Sequence, residues 1–302
     1  MPAQFDVNAA ELVEFGVGLD ERKTQRYVSV PTDVNVKAAL REMVMATRTE
    51  MKGAGDGADY DPGEKYSSHE NLRLPLSSEL ASHILKIHSA LNLAVEPKAL
   101  SDPTNVFCYF TRMRDKKGHK LSAIRRATTF KGVLKSRLVQ FSTDALKLVE
   151  DKIFKLDRDF DFIVEESGIQ ILRPAGFEFV GALEGAILAA VDKNANSLKA
   201  DLPFVDLESI QSYAKQHPRA ARYLASIRTQ QETKNINKAK LKALCESTGV
   251  KVTEVKGKLQ VEDGSVMDFL GVLDRRLYQV ELIKDSPESF RAASRSRIGQ
   301  NG

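Results

Sequence analysis

The spacing of apolar residues changes character along this chain, and that change limits the folds open to it. In "NVFCYFTRMRDKKGHKLSAIRRATTF" (105–130) the pattern turns strand-like, and "VFCYFTRMR" and "HKLSAIRRA" read as strands about the turn "DKKG". A second hairpin, "DFDFIVEE" and "IQILR", turns at Ser167-Gly168. After Pro174 the spacing becomes helical, with helices expected near 176–192, 206–216, 218–232 and 237–247. A hairpin over 250–262 and a helix in "SVMDFLGVLDRR" follow, and "SPESFRAASRSRI" reads as a tail. Strands and helices in blocks, rather than in alternation, predict an α+β fold.

The first hundred residues fit that class. Residues 10–30 read as a hairpin, and the next segment places Val36, Leu40, Met43 and Val44 on one helical face behind Thr32 or Asp33 as cap. A second amphipathic helix is expected over 77–93. Between them, "KGAGDGADYDPGEKYSS" (52–68) reads as a flexible stretch. The expected architecture is an antiparallel sheet with flanking helices. An N-terminal α+β region, 1–150, would carry a basic hairpin, and a mainly helical region, 151–302, would open on the 159–173 hairpin. "FVGALEGAILAAV" (179–191) is too short to span a bilayer and carries Glu184; Gly181 and Gly185 are expected to let that helix lie close against a neighbour. The N-terminus lacks signal-peptide character, and Cys108 and Cys245 form no CxxC, which predicts a reducing, cytoplasmic setting.

Charge is concentrated in one place. Between Arg112 and Arg137 stand Arg112, Arg114, Lys116, Lys117, Lys120, Arg125, Arg126, Lys131, Lys135 and Arg137, against Asp115 as the one acid, although the whole chain carries only +4. Arg112 and Arg114 share a strand face, and Lys120 can join them from the partner strand. Such a ribbon can follow a phosphate backbone, each neutralised phosphate releasing a counterion. Two plainer explanations compete: lysines that protect a sheet edge, and pairing with the aspartates of residues 157–161. Arg291, Arg295 and Arg297 could extend the surface. The order helix, helix, hairpin at 218–262, with Lys238, Lys240 and Lys242 on the second helix, is also that of a winged helix.

No catalytic, metal or cofactor residue is assigned. "DRDFD" would place Asp157, Asp159 and Asp161 on one strand face and Phe160 and Phe162 on the other. Counted from Asp157 as an EF-hand loop, the sixth position is Phe162 and the twelfth Gly168, where glycine and glutamate are needed. The aspartates are therefore expected to be structural, facing outward or capping the strand. His83 and His88 stand five apart, a spacing that cannot ligate one ion from a helix face. "GVG" (16–18) is no nucleotide signature. The runner-up is a metal-dependent nuclease that would use Asp161 or another aspartate with Glu254 and Lys256 of the E-x-K tripeptide Glu254-Val255-Lys256.

The run "KLDRDFDFIVEESGIQILRPAGFEFV" (155–180), supported by "FLGVLDRRLYQVEL" (269–282) and "SFRAASRSR" (289–297), resembles the KwaB-like family, the soluble component of the Kiwa anti-phage defence system. The shared positions are Asp161, Phe162 and Ile163, then Ile169 to Leu172, then Phe177 and Glu178. The resemblance implies a DNA-binding role in stopping phage replication, with no catalytic residue or cofactor carried over, and the chain is expected to bind duplex DNA without catalysis through residues 112–137. The resemblance also implies a membrane-embedded, KwaA-like partner that would hold the chain peripherally at the inner membrane. A homo-oligomer is expected. A scaffold whose basic hairpin docks on an acidic protein or on anionic lipid is a third possibility.

Overall fold

The computed structural model describes residues 5–21, 24–55, 57–66, 69–90, 92–100, 105–128, 139–142, 145–148, 154–230, 233–283 and 286–292, with backbone alone at 139–142, 145–148, 281–283, 286–287 and 291. The chain divides into two compact units, 1–60 with 66–183, and 61–65 with 184–302. The division falls after 183 rather than at 150. The reason lies in pairing: the 162–171 hairpin joins the N-terminal sheet through Phe162↔Ile124 and Val164↔Ser122.

In the first unit, β1 (Leu12–Glu21) and β2 (Thr24–Val30) form the expected hairpin. Helix α1 (Val34–Gly53) starts where Asp33 accepts the Val36 N–H at 2.8 Å. Strands β3 (Ala58–Asp59) and β4 (Leu72–Leu74), a 3-10 turn at Glu79–Ala81, helix α2 (Ser82–Ser89) and β5 (Ala94–Val95) follow. Next come β6 (Val106–Arg114), β7 (Lys120–Arg126), β8 (Val139–Ser142), β9 (Ala145–Leu148), β10 (Phe162–Glu165), β11 (Gly168–Ile171) and α3 (Pro174–Val180).

Nine strands form one sheet in the order β3-β4-β11-β10-β7-β6-β1-β2-β5. The expected antiparallel sheet is in fact mixed, since β2 pairs with β5 and β3 with β4 in parallel. Both parallel partners are separated by long intervening segments, which is what a parallel connection requires. Alternation sends Phe15, Val17, Tyr109, Met113, Leu121 and Ile163 to one face, where Leu40, Met43 and Val44 of α1 cover them. Phe110, Ile124, Phe162, Val164 and Ile171 go to the other, under Ile84 and Ile87 of α2 and Phe177 of α3. Burial on both faces explains why Val106–Phe110 is apolar without a break.

The second unit holds α4 (Glu184–Asp201), α5 (Leu207–Ala214), α6 (Pro218–Arg228), α7 (Lys238–Ser247), the hairpin β12 (Val252–Val255) and β13 (Lys258–Val261), and α8 (Val266–Leu273). Its last described element is a hairpin, β14 (Leu277–Ile283) with β15 (Ser286–Arg291), in part of the stretch the sequence suggested as a tail. The half after residue 150 is thus helical with three hairpins. Its core joins Val191, Leu198, Leu224, Ile227, Phe269 and Leu270.

Two expectations fail for local reasons. Residues 179–191 are not one helix: Gly181 caps α3, Ala182 takes φ +53°, and α4 begins at Glu184. A Cβ on Gly185 would meet nothing within 4 Å, so this glycine mediates no close approach. No single described helix is long and apolar enough to cross a membrane. The supposedly flexible 52–68 stretch contains an anchored core. Arg222 Nη1 donates to the Pro62 carbonyl at 2.9 Å and to that of Glu64, and Asn194 Nδ2 donates to the Gly63 carbonyl at 3.0 Å. Arg228 pairs with the Glu64 carboxylate. Glycine and charge content could not reveal arginines some 160 residues away.

Candidate nucleic-acid interface

The β6–β7 hairpin lies at the centre of the sheet, between β1 and β10. Its lysines therefore do not protect a sheet edge. The turn is fixed by Asp115, whose Oδ1 accepts the N–H groups of Lys117 and His119, each at 2.9 Å, while Gly118 supplies φ +86°. His119 Nδ1 lies 2.8 Å from Asp115 Oδ2, and this hydrogen bond holds the carboxyl below the usual carboxylate range.

The predicted basic residues separate into distinct environments. Arg112 is not available to a ligand: its Nε and Nη2 donate to Glu14 Oε2 at 2.7 and 2.5 Å, and its Nη1 donates to the Ala90 carbonyl. Arg125 lies on the opposite face of the sheet, toward α1, and is likewise committed. Arg114, Lys116 and Lys117 are exposed at the tip, with Lys120 half-buried beside them. Among these, Lys116 makes a loose surface pair with Glu11 at 3.5 Å, a kind worth under about 1 kcal/mol. Arg126 is exposed at the far end of β7, its guanidinium 3.9 Å from the centre of the Phe179 ring. Lys131, Lys135 and Arg137, like Arg295 and Arg297, fall outside the described residues, and of Arg291 only the backbone is described.

The aspartates of "DRDFD" explain where Arg125 goes. Its Nε donates to Asp157 Oδ2 at 2.9 Å, its Nη1 to Asp159 Oδ1 at 2.7 Å, and Asp161 Oδ1 lies 3.4 Å away. Arg173 Nη2 reaches Asp159 Oδ2 at 2.8 Å, and Asp161 Oδ2 accepts the Arg126 N–H at 2.8 Å. The aspartates are structural, as expected, yet Asp159 and Asp161 are buried rather than outward-facing. The regular strand starts only at Phe162, so Phe160 and Phe162 enter opposite cores instead of one. Burial pushes the Asp161 carboxyl up from its ordinary value despite the Arg126 N–H and Arg125. At Asp157 burial acts in the same direction, but Arg125 and the hydrogen bonds from Lys155 and Tyr109 leave it lowered.

Gly176, at the start of α3, is what lets Asp161 sit there. A Cβ at this position would overlap the Asp161 carboxylate and lie 2.9 Å from its Cβ. Gly176→Ala is expected to displace Asp161 from the Arg126 N–H and cost about 2 kcal/mol. A urea midpoint unchanged from wild type would refute this packing.

The E-x-K reading loses its support. Glu254 is ion-paired with Lys238, which also donates to the Gly257 carbonyl at 2.9 Å, and Lys256 occupies the hairpin turn at φ +50°. Among the described residues, no group of three His, Cys, Asp or Glu side chains is placed to hold a metal ion. The same pairing engages the first lysine of the helix-helix-hairpin segment, leaving Lys240 exposed and Lys242 half-buried. Cys108 and Cys245 are buried free thiols, and burial pushes the Cys245 thiol up to about 12.

Structurally this is a two-unit mixed α/β protein whose large sheet presents a cationic hairpin from its central strands. A family model described as Kiwa protein KwaB-like matches residues 104–282, a span running from β6 to β14. The chain belongs to the KwaB-like family and is a component of the Kiwa anti-phage defence system. No curated protein and no solved structure matches it.

Proposed function

We propose that this chain binds duplex DNA without cleaving it, through Arg114, Lys116, Lys117 and Lys120 at the β6–β7 tip, with Arg126 further along β7. Lys131, Lys135 and Arg137 continue the same basic run in sequence. In this reading the protein works in the cytoplasm as a homo-oligomer and is held at the inner membrane by a KwaA-like partner. There it blocks replication of incoming phage DNA.

One observation carries the reading. The exposed cations stand on the hairpin of two central strands of the sheet, where edge protection does not account for them, and among the described residues only Lys116 of this set has an acidic partner. Arg112 and Arg125 hold the fold together, so the ligand-facing set is smaller than the ten residues of the basic run.

The test is duplex affinity across a salt series, for wild type and for a variant with Arg114, Lys116, Lys117 and Lys120 all replaced by glutamine. The slope of log affinity on log salt is expected to flatten by about 0.9 for each contact removed. Affinity retained at wild-type level, with the wild-type slope, would move the contact elsewhere, with Lys240 and Lys242 on α7 next to be examined. Plasmid degradation that requires added magnesium or manganese would instead establish nuclease chemistry.

A further inference from the structure

On the α2 face of the sheet, a hollow lies just behind the tip of the basic hairpin, lined by residues that include Glu14, His88, Arg112, Arg114, Lys120 and Ser122. Arg114 and Lys120 are direct partners across β6 and β7, so both side chains leave the same face at its mouth. Neither side chain makes a hydrogen bond or ion pair among the described residues.

The groups that would repel an anion here are already covered. Arg112 neutralises Glu14 through two hydrogen bonds, at 2.7 and 2.5 Å. Its Nη1 also donates to the Ala90 carbonyl and, at 3.5 Å, to that of Ile87, at the negative end of the α2 dipole. His88 Nδ1 meets the buried Ser122 hydroxyl at 2.9 Å on the floor. Burial, then Lys120 and Arg112, hold the His88 imidazolium down to about 4, so the ring is neutral at pH 7. What remains facing the opening is two unpaired cations above a neutral imidazole and a hydroxyl.

We infer that this hollow seats one phosphate group between Arg114 and Lys120, with His88 beneath it. The inference rests on the DNA reading only for the source of the phosphate, which is either a backbone phosphate of the duplex or a small free phosphate. Occupancy opposes the repulsion that Lys120 and Arg112 exert on His88, so the ring takes up a proton more readily when the seat is filled. The charged groups facing His88 are Glu14 from β1, Arg112 and Arg114 from β6, and Lys120 from β7. Of these, only Glu14 carries negative charge, and it is already paired.

The experiment follows the His88 ring signal in the full-length, histidine-labelled chain, assigned with His88→Gln. Inorganic phosphate and a short duplex are added separately, each at constant ionic strength against chloride. Either ligand is expected to shift the signal and raise its titration midpoint by roughly one pH unit. Arg114→Gln and Lys120→Gln, both at solvent-accessible positions, are expected to abolish the response. A duplex that binds while His88 responds to neither ligand overturns the seat and leaves the DNA reading intact. A response to phosphate without duplex binding keeps the seat, assigns it to a small phosphate and removes the DNA reading.

Discussion

Arg125→Ala is expected to destabilise the N-terminal unit by about 3 to 5 kcal/mol, the usual cost of removing one partner from a buried ionic network. The Arg125 side chain is 16% exposed and faces Asp157, Asp159 and Asp161, whose side chains are 15%, 8% and 5% exposed. Without the guanidinium, Asp157 and Asp161 lose their shared cation, and Asp159 keeps only Arg173. Arg125→Lys retains the charge but cannot span three carboxylates, so most of the loss should persist. The effect carries a pH signature. In the variant, the Asp161 carboxyl, already raised by burial, loses the opposing Arg125 charge and rises further above its unfolded value, so the folded state binds more protons there than the unfolded one. The variant's deficit is therefore largest at neutral pH and shrinks on acidification toward pH 5. The wild type behaves differently at Asp157, whose lowered folded pKa contributes stability that is lost only as the pH falls through that value. Urea denaturation at a series of pH values reads both effects. A deficit that is small, or that does not change with pH, would mean that Arg125 does not neutralise these aspartates.

The local elements were legible because their signals lie within a few residues of one another. The 115–118 turn, the Ser167-Gly168 hairpin and the Asp33 cap each carry their own turn or capping chemistry. The strand order was not legible, and with it went the fate of the cations. Whether Arg112 is free depends on β1 lying beside β6 in the register Glu14↔Arg112, a pairing of residues 98 positions apart. Whether Arg125 is free depends on β10 returning to β7, which brings the aspartates of residues 157–161 beside it. The sequence placed pairing with these aspartates among the explanations for the basic run, and for Arg125 that is the outcome. The alternation in "DFDFIV" does not show where the regular strand begins: the chain bends at Asp161, whose carbonyl accepts the N–H groups of Leu172 and Arg173 at 2.8 and 2.9 Å, and this sends Phe160 to the other core. The terminal hairpin was missed because "LYQVELI" is short, and "SPESFR" contains a proline and little apolar content.

In the second unit, Asp274→Ala is expected to have an effect of similar size, about 3 to 5 kcal/mol. Asp274 is fully buried and serves several donors at once. Arg276 Nε reaches Oδ2 at 2.6 Å and Lys65 Nζ reaches it at 3.3 Å, while the Ser226 hydroxyl and Gln230 Nε2 donate to Oδ1 at 2.5 and 2.8 Å. Deleting the carboxylate removes the shared acceptor of two cations and two neutral donors that join α6, the end of α8 and the 61–65 segment. Asp274→Asn keeps the shape and some of the hydrogen bonds but not the charge, so it should lie between alanine and wild type. A second readout separates this network from general core damage. Lys65 is the last residue of the segment that packs with this unit, so losing its anchor should expose the peptide bond after Lys65 to trypsin under native conditions, before global unfolding. Ile227→Ala in the same core is the comparison. It is expected to lower stability by 2 to 5 kcal/mol, as is usual for an isoleucine core, but to leave cleavage at Lys65 tied to global unfolding. If both variants show the same cleavage pattern, the anchoring of residues 61–65 does not depend on Asp274, and contacts such as those of Arg222, Arg228 and Asn194 to Pro62, Gly63 and Glu64 hold the segment without it.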